Sequence, residues 1–157
     1  MPLALRAAFR ATARFDPLLK GTSVMDPTGW LSSVDEHIAF RSTPADRAWA
    51  WCWVIRQLAL RDLLEAPPGT TTDAVWVEPQ MAWAMDDLAD AGAHTRPPML
   101  PAIDTADIPT VIAPALRRLL EVTDVEDPRM PMGLVDACGY AARRAAIAHH
   151  AYAGALP

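Results

Sequence analysis

The sequence predicts an all-α fold: a compact bundle of five or six helices around a central Trp-rich helix from Thr43 to Glu65. Three observations lead there. Apolar residues recur at three- and four-residue spacing in several separate segments. Capping residues and first-turn prolines precede these segments, and Gly or Pro closes most of them. The segment TPADRAWAWCWVIRQLALRDLLE is apolar over more than half of its circumference, which belongs to a helix surrounded by others. A chain of 157 residues suits a single domain, 1–157, large enough to bury a core.

Residues 1–25 read as a short basic helix and a loop, with Arg6, Arg10 and Arg14 on one side of a helix over 3–15. Asp26-Pro27 is a cap followed by a first-turn proline, opening a helix to about Arg41. Trp30, Val34, His37, Ile38 and Arg41 share its inner face. Thr43, Pro44 and Asp46 then form the start of the central helix, and Pro67-Pro68-Gly69 stops it. Trp49, Trp51 and Trp53 alternate as in a strand, but the cap, the length and the Leu-rich second half favour a helix. Its polar strip is expected to run through Arg47, Gln57, Arg61 and Glu65. Arg56 and Asp62 fall inside the apolar arc. Arg56 is therefore expected in a buried charge pair with Asp35, Glu36 or Asp86, because an isolated buried guanidinium is too costly.

The next helix is expected from Pro79 to Ala91, with Ala74–Val77 either a helical turn or a short extended segment and Gly92 as the stop. Met81, Ala84, Met85 and Leu88 make its apolar face. Residues 93–110 hold Pro97, Pro98, Pro101 and Pro109 and read as an irregular Pro-rich crossing. Ile108 to Val122 is helical, with Pro114 kinking it or marking its true start. The last helix, about Pro131 to Ala153, carries a small-residue face through Leu134, Cys138, Ala141, Ala145, Ala148 and Tyr152, which lets another helix approach closely.

Composition narrows the function. A net charge of −5 speaks against general nucleic-acid binding, which depends on clustered Lys and Arg. No apolar run reaches the length of a membrane span. Cys52 and Cys138 lack metal-ligand spacing and read as reduced core residues, so a cytoplasmic protein is expected. The usual phosphate-binding, metalloprotease and nucleophile-elbow motifs are missing.

Two resemblances add expectations. The pattern GW…V…H, followed much later by His149-His150, resembles the DinB-like four-helix family, whose members bind a metal through three histidines. The resemblance makes His37 and His149 weak metal candidates. It departs from the family where Ala145 or Ala146 stands in place of the last helix's second histidine. The segments EHIAFRSTPADRAWAWCWVIR, AVWVEP and RPPMLPAIDTADIP are similar to a group of uncharacterised Trp-rich helical bacterial proteins, some encoded near type VI secretion genes. That similarity covers roughly residues 35–122 and implies an all-α accessory protein without a catalytic residue.

The leading expectation is a non-catalytic interaction module: an adaptor, inhibitor or accessory subunit, with no cofactor. Its candidate partner surface is the face carrying Trp83, Asp86, Asp87 and Asp90, joined by Trp76 if the helix begins early. Tryptophan is a favoured anchor at interfaces and an acidic rim steers a basic partner. A second copy of the chain is another candidate partner. The alternative is a helical metal-dependent enzyme or a small-ligand binder of DinB-like type.

Overall fold

Capping fixes where the helices begin. In the computed structural model, which describes residues 25–70 and 72–153, there are five α-helices: α1 Pro27–Ala39, α2 Pro44–Glu65, α3 Ala74–Asp90, α4 Ile108–Thr123 and α5 Met132–Ala153. A 3₁₀ turn, Thr105–Asp107, leads into α4. The basic helix expected over 3–15 lies outside the described residues. Asp26 caps α1 by accepting the Gly29 N–H at 2.7 Å, and Thr43 caps α2 by accepting the Asp46 N–H at 3.1 Å. The Asp46 carboxylate accepts the His94 N–H at 2.7 Å, so this first-turn acid ties the start of α2 to the far end of α3.

Helix α3 begins earlier than the sequence suggests. Thr72 and Asp73 start it, with Thr72 Oγ1 accepting the Ala74 N–H, and Pro79 lies in its interior. A proline there removes one intrahelical bond, to the carbonyl of Val75. Val75 is exposed, so water can satisfy that oxygen. Pro114 likewise sits inside α4 and is not its start. At the end of α3, Gly92 adopts φ +105° and the chain closes in a Schellman turn. The Ala93 N–H reaches Leu88 O and the Gly92 N–H reaches Ala89 O, while Ala93 and Leu88 are both buried.

Helices α2, α3, α5 and α4 form a ring of four in which each packs mainly on its two neighbours. Arg56–Glu78, Asp62–Thr72 and Asp46–His94 contacts show that α2 and α3 run antiparallel. The Arg61 guanidinium donates to Thr105 Oγ1, placing the start of α4 beside the end of α2. Tyr152 donates to Pro109 O, so α4 and α5 are antiparallel too. It follows that α3 and α4, on opposite corners, point the same way. Their connection must travel back along the bundle, which is why a long crossing exists. Pro98, Leu100, Pro101 and Ile103 of this crossing are buried. Helix α1 leans on α4 and α2, and its fully buried Trp30 donates from Nε1 to Pro101 O at 3.0 Å.

The interior matches the expected centre. Nearly every residue of α2 from Ala48 to Leu60 is buried, including all three of its tryptophans. Two expectations for its polar residues need correction. Gln57 is fully buried, not part of a solvent strip, because α2 has a neighbour on each side. Asp62 is half-buried and accepts the Thr72 hydroxyl at 2.8 Å, giving the carboxylate a local partner. The Trp51 indole N–H is buried and finds no hydrogen-bond partner among the described residues, in contrast to Trp30. On α5 the inward residues are Leu134, Ala137, Cys138, Ala141, Ala145 and Ala148, a face built of small side chains. No helix among the described residues is long and apolar enough to cross a membrane.

Candidate functional site

The early start of α3 aligns Trp76 with Trp83. Seven residues apart, they lie two turns along one face of the helix, and they are 62% and 51% exposed. Most large apolar side chains here are buried, so two half-open indoles on one stripe stand out as an exposed apolar patch. Asp86 and Asp90 flank the stripe and are exposed. Neither is in an ion pair among the described residues.

Helix α5 supplies the other bank. Its guanidinium Arg144 lies over the Trp83 ring, 5.1 Å from the centroid, a cation–π contact. Arg144 also approaches Asp87, with Nε 3.6 Å from Oδ2, and reaches Gln80 Oε1 at 3.4 Å. Asp87 therefore has a cationic neighbour and belongs to the contact between α3 and α5. This softens the unfavourable placement of aspartates at a helix C-terminus, where the dipole disfavours negative charge. One turn either side of Arg144 are Tyr140 and Ile147, 49% and 55% exposed, and Arg143 covers the Tyr140 ring at 5.1 Å. Because α3 and α5 are antiparallel, Ile147 lies toward the Trp76 end of the seam and Tyr140 toward the Asp90 end. The face is thus an apolar stripe with mixed charge. The Tyr140–Ile147 bank escaped the sequence reading, which placed α5 by its inward alanines and gave its outer side no role.

Arg56 pairs with Glu78, Nε to Oε1 at 2.9 Å, and not with Asp35, Glu36 or Asp86. The early start of α3 is the reason: it turns Glu78 toward α2. The pair is half-buried, with side chains 29% and 22% exposed, so the expected fully buried charge is replaced by one at the rim of the α2–α3 interface. Asp35 instead lies 3.9 Å from Arg118 of α4.

The metal candidates do not converge. His37 is exposed, not on the inner stripe, because Leu31 completes the buried arc of Trp30, Val34 and Ile38. Its Nδ1 lies 2.7 Å from Ser33 O, and since a carbonyl oxygen only accepts, the ring donates there. His37 shares a cleft with Asp46 at the start of α2. His149 is three residues from Tyr152, whose hydroxyl is pushed up by burial and by Asp62 and Asp73 at the opposite end. Asp46 and Asp62 are separated by roughly 24 Å of helix, taking 1.5 Å per residue. Among the described residues no three His, Cys, Asp or Glu side chains gather as metal ligands.

Cys52 and Cys138 are free and buried. Burial raises both thiols, Cys138 to about 11 with Asp46 adding to the shift, so neither has thiolate character near neutrality. Comparison of the chain with protein-family models, with curated proteins and with solved structures finds no match.

Proposed function

We propose that the chain is a non-catalytic protein-interaction module that docks its partner along the α3–α5 seam. The observation that carries this reading is the pair Trp76 and Trp83, half or more exposed two turns apart on one helix. Indoles offer large contact area at low entropic cost, and Trp, Tyr and Arg are the residues most often found to dominate binding energy. Arg144 holds Trp83 against the seam, which pre-organises the anchor and reduces the ordering cost of association. Asp86 and Asp90 provide the acidic edge for a partner with basic residues. A second copy of this chain is the competing occupant.

The test compares proteins retained from cell extract by the wild type with those retained by Trp76→Ala/Trp83→Ala, using Phe40→Ala as a control. Phe40 is 90% exposed on the α1–α2 corner, away from the seam. A partner bound by the wild type and the control, yet lost in the double variant, is the expected result. A folded double variant that keeps every partner would sink the reading. Sedimentation of the isolated chain separates self-association from a foreign partner.

A further inference from the structure

At the corner where α1 turns into α2 and the crossing leaves α3, the surface opens into a cleft of about 440 Å³. That is within the range of small-molecule sites. Its polar lining includes His37, Arg41, Asp46, His94 and Arg96, with Phe40, Met99 and two prolines supplying apolar wall. Asp46 is the single carboxylate among these residues, and it already accepts the His94 N–H. Two guanidinium groups therefore face one partly committed acid in a chain whose net charge is −5. Neither Arg41 nor Arg96 is in an ion pair among the described residues.

Arg41 is the sharper anomaly. Its Nε is buried and has no hydrogen-bond partner among the described residues, whereas the ordinary fate of a buried polar atom is to be satisfied. Burial and the nearby Arg96 both act against its charged form, and only Asp46 favours it. Its backbone is fixed, since Arg41 O accepts from the Arg47 guanidinium at 2.8 Å. The fold thus holds Arg41 beside a like charge, with an unused donor, at the edge of a cleft. An anion in the cleft offsets the repulsion between the two guanidinium groups and favours the charged form of Arg41.

We propose that this cleft binds a small phosphate monoester carrying a flat apolar group. A carboxylate is satisfied by one guanidinium fork, whereas two guanidinium groups offer donors enough for the three free oxygens and the double charge of a monoester. The apolar part rests against Phe40 and Met99, which are 90% and 62% exposed. This site is separate from the α3–α5 seam, so either can fail without the other.

The experiment is a backbone-amide NMR titration with phenyl phosphate, inorganic phosphate and benzoate, run on the wild type, on Arg41→Gln and on Arg96→Gln. The expected result is saturable shifts around Arg41, His94 and Arg96 for phenyl phosphate. Inorganic phosphate binds more weakly at the same residues, and benzoate weaker still. Each arginine variant loses about tenfold or more in affinity, as loss of a charge-assisted bond requires. Arg96 is exposed and bonded to no described group, so its variant keeps the fold and serves if Arg41→Gln does not. Absence of shifts from phenyl phosphate overturns the proposal. So does binding unchanged in Arg96→Gln, or benzoate binding as tightly as phenyl phosphate.

Discussion

Arg56 shows what single-residue reasoning reaches and where it stops. That its guanidinium needs an acid follows from its place on an apolar arc. Which acid depends on how α3 is rotated, and that was hidden by the ambiguous start at Ala74–Val77. With Glu78 as partner and both side chains under one third exposed, the pair ranks between a surface bridge and a buried one. Arg56→Ala is expected to cost about 1–2 kcal/mol, below the 3–5 kcal/mol of a fully buried pair. A double-mutant cycle with Glu78→Gln, followed by chemical denaturation, checks it: the two substitutions together cost less than their sum. Strict additivity would mean the contact contributes nothing. His37 teaches the complementary lesson. Helical spacing put it near the inner stripe, but a buried arc has a centre, and Leu31 moved that centre away from the imidazole.

At the scale of elements, the caps were the most legible features because they are local chemistry. Asp26, Thr43 and Gly92 each sit where the sequence places them. Pro79 misled for a physical reason. First-turn proline is favoured because its missing N–H is unneeded there, yet a proline in the second turn loses only one bond when the orphaned carbonyl faces water. The Schellman turn gives a clean test. Gly92→Ala forces a Cβ into φ +105° with nothing within 4 Å to clash, so the cost is conformational alone. It is expected to lower stability by roughly 1–2 kcal/mol, read as a drop in melting temperature with helix content retained. An unchanged melting temperature would show that the turn is not held in the left-handed region.

Over the whole molecule, the central role of α2 was readable because a helix apolar all round admits one placement. The parallel course of α3 and α4 was not, since direction is set by packing partners that no periodicity encodes. The Pro-rich crossing was its only trace: a length of chain needed to return from one end of the bundle to the other. The seam was half legible, α3 by its tryptophans and α5 not at all. The distribution of indoles has an optical consequence. Trp30, Trp49, Trp51 and Trp53 are at most 6% exposed, whereas Trp76 and Trp83 stand open. Iodide should therefore quench two of the six emitters, giving a Stern–Volmer plot that bends downward to a plateau. A straight line through all emission in the folded protein would contradict this partition. Since both accessible emitters lie on the α3 bank of the seam, a bound partner would shield them selectively, and the protein would report occupancy of that face in its own unlabelled fluorescence.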